Sequence, residues 1–306
     1  MQETGEETAP PSLGGPPPEP VLTSRDRLRG ILCLAASAAV FPLTGMSTRR
    51  LRDSLPAVGI VFLWCSVSAL ALALAAAVGG FRIRPKYRRI FFLRGCTGAL
   101  VTLLFFASVQ RIHLGTATLL LFSSPVWVAL FSALRGIEKP SLLEFAFVLL
   151  AVGGVGLTAD PFFGNPGFGE GLALLAGIVG AGSAIFVREM RKRGETVPTV
   201  FFAFLLCGTV ASAPLALAVG RIPSRADLPW IALFITAGGA GNFLMSYGFR
   251  FVRVTTCSIV QSSEAVFAAV WGWTVLGEVP TLRRAVGGVL LLGSLVGVTA
   301  LRTLRR

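Results

Sequence analysis

Charge is scarce in this chain. Asp, Glu, Lys and Arg make up 14% of its 306 residues, against about 25% in soluble domains. His113 is the single histidine. The five cysteines (Cys33, Cys65, Cys96, Cys207 and Cys257) lie apart in apolar stretches and form no CxxC pair. A disulfide framework and a zinc site are therefore excluded as organising features, and no cofactor is expected. No GxxxxGK[ST] loop occurs, so the chain carries no ATPase of its own. An enzyme needs a cluster of nucleophile, base or metal ligands, and one histidine with scattered thiols does not supply it. The first 20 residues are acidic and rich in Pro and Gly. They lack the basic start and apolar core of a secretory signal and read as a disordered tail.

What is present is hydrocarbon: 54% of residues are hydrophobic and the mean hydropathy is +0.74. A soluble protein this apolar could not cover its surface with polar groups. The lipid bilayer is its expected solvent. The net charge of +13 sits in short segments between apolar runs. That suits residues holding cytoplasmic loops in place. A nucleic-acid surface would need a continuous basic face, so no nucleic-acid partner is expected.

A span needs about 20 mostly apolar residues. Ten runs qualify, at roughly 30–47, 57–80, 90–110, 115–134, 142–159, 169–187, 198–220, 228–249, 254–276 and 285–301. With the N-terminus inside, nineteen Lys and Arg face the cytoplasm and eight face the other side. This bias predicts both termini in the cytoplasm, against the dissent of Arg49, Arg50 and Arg52. Richness in Ala, Gly and Arg is the composition of a GC-rich bacterial gene, which suggests a cytoplasmic (inner) membrane.

Residues 115–159 can be laid over 255–299 without a gap. Thr116 meets Thr256, Ser123 meets Ser263, Glu138 meets Glu278, Pro140 meets Pro280 and Gly153 meets Gly293. The expected fold is all-α and polytopic: ten transmembrane helices as two five-helix repeats, spanning 29–159 and 169–302. A tail at 1–28, a Gly/Pro-broken linker at 160–168 and a basic tail at 303–306 complete the chain. Five is odd, so the second repeat enters the membrane inverted. That architecture is common among secondary transporters, with the solute site between the halves.

The two copies read SSPVWVALFSALRGIEKPSLLEFAFVLLAVGGVGL and SSEAVFAAVWGWTVLGEVPTLRRAVGGVLLLGSLVGV. Each has a small-residue start, an apolar run, an acidic residue, Ser/Thr-Leu and a Gly-studded helix. Both resemble the EamA repeat of the drug/metabolite transporter superfamily, as does Arg94-Gly95 opening the third run. The resemblance implies a ten-helix carrier of small organic solutes, often an exporter of amino acids or other metabolites, with no prosthetic group. The chain departs from the pattern at Glu264-Ala265, where the second repeat of that family usually has Glu-Pro. Ser124-Pro125 stands at the matching place in the first.

Glu264 is the sharpest candidate. It lies about ten residues into its run, hence about 15 Å deep in a core of about 30 Å. An ionised carboxylate there costs at least about 2.5–3.5 kcal/mol without a partner. It should face a cavity or be protonated, which suits a proton or another coupling ion; a structural hydrogen bond to a neighbouring helix is the alternative. Gln261, Glu264, Ala268 and Trp271 share one helical face, with Ser263 beside it. Asn242 and Ser246 form a polar stripe on the preceding run, together with Gly239. These stripes fit a pocket for an amphipathic solute or polar contacts between helices. Ser123, Ser124 and Pro125 lie at the matching depth in the first half. Pro125 removes a backbone donor, which frees a carbonyl for solute or makes a packing kink. Arg94 snorkels to the headgroups or meets an anionic substrate group. His113 reads as a solvated loop residue.

Glu138 and Glu278 stand where the dipole of the following helix favours negative charge. The glycines of the fifth and tenth runs allow close packing within a protomer or between two, which permits a homodimer. A secondary carrier of a small solute, not an enzyme, is the leading expectation. A membrane receptor or scaffold, or an integral membrane enzyme without transport activity, is the alternative.

Overall fold

The computed structural model describes residues 24–79, 83–124, 127, 142–159, 167–221, 223–248, 251, 254–279 and 281–304. Among them every regular element is helical. The first half contributes α1 (Ser24–Val40), α2 (Pro42–Arg50), α3 (Ala57–Gly79), α4 (Arg88–Val109), α5 (Leu114–Leu121) and α6 (Leu142–Ala159). The second contributes α7 (Phe168–Lys192), α8 (Val197–Val219), α9 (Leu228–Gly248), α10 (Val254–Leu276) and α11 (Leu282–Leu304). Helix starts recur 140 residues apart, at 57 and 197, 88 and 228, 114 and 254, and 142 and 282.

Six of the described helical segments are long and apolar enough to cross a bilayer, the longest being Ser24–Asp53 and the others 20–23 residues. Helices apolar all round satisfy their backbone internally and need lipid or protein on every side. Their outward faces agree: Leu217 is 72% exposed and Phe243 71%. In water that surface would be an aggregation liability; in lipid it is the expected outer wall. The chain is a multi-pass membrane protein.

The first apolar run is not one continuous helix. Pro42 lacks an N–H and cannot continue α1, so α1 stops at Val40 and α2 begins at Pro42. Thr44 Oγ1 donates to Phe41 O at 2.6 Å within this break.

Helices of the first half pack mainly on helices of the second. α3 lies on α8, α6 on α11, α4 on α7 and α8, α1 on α9 and α10, and α5 on α7 and α10. Exchanging the halves maps nearly all these pairs onto one another. The exception is α4 with α8, which run together, while their counterparts α9 and α3 barely touch. Small residues permit the crossings. Gly95 of α4 lies against Ala203 and Cys207 of α8, and Gly154 of α6 meets the backbone of Gly287 and Leu291 on α11. The glycines of α6 and α11 therefore serve packing within the chain at this crossing. At the opposite end of α3 the spacer is aromatic. The Trp64 and Phe234 rings are 5.5 Å apart, and Phe106 and Phe234 are 5.6 Å apart.

A side chain at Gly95 would have to push α4 off α8. Gly95→Val is expected to cost about 1–3 kcal/mol as overpacking, seen as a lower thermal unfolding midpoint in detergent. Gly153 faces open space, so Gly153→Ala should leave the midpoint unchanged or slightly higher. Equal effects of the two would contradict the close approach of α4 and α8.

Candidate functional site

Near the middle of the helices, both halves leave a cavity of about 210 Å³. From the first half come Phe41 and Thr44 at the α1–α2 break, Trp64 of α3, Val101, Thr102, Phe105 and Phe106 of α4, and Leu121 of α5. The second half adds Phe201 and Phe204 of α8, Asn242 of α9 and Glu264 of α10. Drug-sized sites measure about 300–1,000 Å³, so this one suits a small metabolite. Half of its described lining residues are aromatic, with Thr44, Thr102, Asn242 and Glu264 as polar points. Among the described lining residues, Glu264 alone is charged. Among the described residues, no hydrogen bond or ion pair engages the Glu264 carboxylate.

The structure brings two predicted residues, Glu264 and Asn242, to this wall. Asn242 Nδ2 donates to Gly238 O at 2.9 Å, which leaves its amide oxygen uncommitted by that bond. The others are held elsewhere. Trp271 shares a face with Glu264 but donates its Nε1 proton to Ala39 O at 3.0 Å, tying α10 to α1 just before the break. Gln261 has its Oε1 buried without a partner among the described residues. Ser263 Oγ donates to Val260 O at 2.6 Å, a bond within its own helix. Ser123 is buried; its Oγ donates to Leu120 O at 2.6 Å and accepts from Trp127 Nε1 at 3.0 Å. Ser124 is half-buried and faces Gly180 of α7. Pro125, Glu138 and the side chain of Ser246 fall outside the described residues.

Arg94 does not line the cavity and is held by protein groups. Its Nη1 donates to Ser183 Oγ at 3.0 Å, and its guanidinium lies 5.9 Å from the centroid of Phe204, one of the lining rings. Its Nε is buried with no partner among the described residues.

The aromatic lining was not legible as a site. Phe and Trp in apolar runs carry no periodic signal separating a cavity wall from a lipid face. The one usable clue was Phe41 beside Pro42, since interrupted helices at membrane depth tend to border cavities.

Polar clasps join helices on either side of the cavity. At one end, Arg49 Nη1 donates to Val109 O at 3.0 Å and Ile112 O at 2.8 Å. Its Nε lies 3.5 Å from Glu278 Oε1. Gly277, with φ 70°, turns the chain after α10. Glu278 Oε2 then accepts the Leu114 N–H at 2.7 Å. Glu278 thus sits at the start of α5, from the other half, not at the start of α11 as the sequence suggested. The dipole argument holds, but for a different helix. His113, expected to be merely solvated, has its Nδ1 3.8 Å from the same carboxylate. At the same end Arg50 Nη2 donates to Val275 O at 3.2 Å and Ser54 Oγ to Asp227 Oδ1 at 2.9 Å. At the opposite end, buried Glu195 accepts the Lys86 and Tyr87 N–H groups at 2.7 and 3.1 Å. Apart from the Arg49 bonds to Val109 and Ile112, which stay within the first half, these contacts cross from one half to the other.

An apolar helical shell around a small cavity built by two similar halves defines a membrane transporter of small solutes. Residues 28–159 and 167–300 each match the EamA-like transporter family, and the chain belongs to that family. The pseudopaline exporter CntI of Pseudomonas aeruginosa (strain UCBPP-PA14) is 26% identical over 274 residues, covering 88% of this chain and 95% of the relative. Solute carrier family 35 member G1 of Homo sapiens is 27% identical over 289 residues, covering 88% of this chain and 78% of the relative. One solved crystal structure shares the fold, with a TM-score of 0.61 at 19% identity over 92% of this chain and 99% of that one.

Replacing Glu278 by Ala removes the ion pair with Arg49 and the acceptor for Leu114 N–H. Hydrogen bonds to charged groups contribute about 1.5–3 kcal/mol, so a stability loss of that order is expected, seen as a lower thermal midpoint in detergent. Glu278→Gln should recover part of it through the remaining amide oxygen. An unchanged midpoint in Glu278→Ala would show that the clasp is not closed in the purified protein.

Proposed function

We propose that the chain is a secondary carrier that exports a small amphipathic organic solute across the cytoplasmic membrane by alternating access. The observation that carries this reading is the cavity walled jointly by both halves, with a carboxylate on its wall that no described residue pairs. In this reading the ten apolar runs form two inverted five-helix repeats, with both termini in the cytoplasm. The 140-residue recurrence of helix starts and the exchange symmetry of the helix pairs support it. Because the largest helix interfaces join the two halves, rocking one half against the other opens the cavity to one side and closes it to the other. The clasps at Glu278 and Glu195 are the contacts such rocking would break in turn.

Amino acids and related metabolites are the class that the family resemblance suggests, and the cavity volume fits solutes of that scale. The direction rests on the relative named as an exporter. Glu264 is the proposed coupling group. An ionised carboxylate near the membrane centre is costly without a partner, and a proton from either side removes that cost. Binding and release of a proton at Glu264 would then link the solute's movement to the proton gradient. A receptor or scaffold would have no need of a cavity shared by both halves.

The test is transport in liposomes with an imposed pH gradient, using a mixed pool of amino acids and small metabolites. Wild type should accumulate one class of solute. Glu264→Gln should abolish gradient-driven accumulation and keep part of the solute exchange. Unchanged accumulation in Glu264→Gln would remove Glu264 from the coupling role.

A further inference from the structure

The cavity has an electrical sign. Its one charged lining residue is an acid, Glu264, and no Lys, Arg or His is among the residues described on its wall. The cation closest in argument, Arg94, is not on that wall; it stacks on the Phe204 ring and donates to Ser183. Six aromatic rings complete the lining: Phe41, Trp64, Phe105, Phe106, Phe201 and Phe204. An aromatic face carries partial negative charge at its centre and attracts cations, most strongly where water is excluded. The rings and the carboxylate therefore prefer the same kind of ligand. A negatively charged group placed there would meet Glu264 with no donor cation to offset it, in surroundings where an unpaired charge is costly.

We infer that the solute this cavity recognises carries an ammonium or similar organic cation beside an apolar, ring-sized body, with the cation seated between Glu264 and the aromatic rings. This rests on the carrier reading above and narrows it: within the amphipathic class, the positive group is what the site reads. Asn242, on the neighbouring helix, can orient the solute through its amide oxygen as an acceptor for an N–H donor. A free carboxylate on the solute has no counterpart on the wall, so a zwitterion should bind less well than the matching amine.

Three probes share one ring and differ in charge: phenethylamine, phenylalanine and phenylacetate. Their binding to the full chain in nanodiscs can be measured by calorimetry, with protein-free nanodiscs correcting for partition into lipid. Phenethylamine is expected to bind at least tenfold more tightly than either of the others. Glu264→Gln should weaken phenethylamine at least tenfold and leave the other two nearly unchanged. Equal or tighter binding of phenylalanine or phenylacetate overturns the inference, as does phenethylamine binding that is absent or indifferent to Glu264→Gln. The comparison of probes on the unmodified chain decides the matter if that variant does not fold. Failure of the carrier reading looks different: probes that bind but never cross liposomes containing the protein would sink transport and leave the charge preference standing.

Discussion

Hydrocarbon offers no hydrogen bonds. A chain immersed in it must pair its own backbone and bring each charge to the interface, to a partner or to water. That constraint accounts for the helices, for the apolar outer faces and for the position of nearly all the ion pairs. Arg49 with Glu278, Arg284 with Glu170 and Arg193 with Glu189 all lie at helix ends. Arg94 and Glu264 instead stand inside long apolar helices. Arg94 is partly accommodated by Ser183 and Phe204. Glu264 has only the cavity among the described residues. Against a structure that otherwise obeys the constraint, that exception locates the proposed site.

Interleaving of the halves gives the site its other property. With α3 on α8, α4 on α7 and α8, and α1 on α9 and α10, neither half owns the cavity. Small residues occupy the close helix crossings, as at Gly95 and Gly154, and rings line the cavity between the halves. Displacing one half against the other must therefore reshape the cavity first. The proposed alternating access needs such a coupling between relative motion and access, and this packing is compatible with it.

Much of this was legible in the sequence because membrane spans follow simple rules. The apolar runs at 142–159 and 254–276 coincide with α6 and α10, and the repeat offset of 140 reappears in the helix starts. Glu264 and Asn242 stood out because polar residues at mid-span are costly, and the structure places both on the cavity wall. What escaped was whatever depends on the partner across an interface. Trp271 shares a face with Glu264, yet its indole is spent on Ala39 O. Glu278 answers a helix start 164 residues away in sequence. The six lining rings look like any other Phe or Trp in an apolar run. The break at Phe41–Pro42 was visible as a proline but not as a cavity border.

Alternating access requires a single cavity that both sides of the membrane reach in turn. Thr102 lines it without carrying charge. A cysteine placed there, in a chain cleared of its own five cysteines, can be offered an impermeant thiol reagent from one side of the membrane at a time. Alternating access predicts labelling from both sides, slowed from both by a saturating transported solute. Labelling from one side only, whatever the solute or gradient, would contradict it.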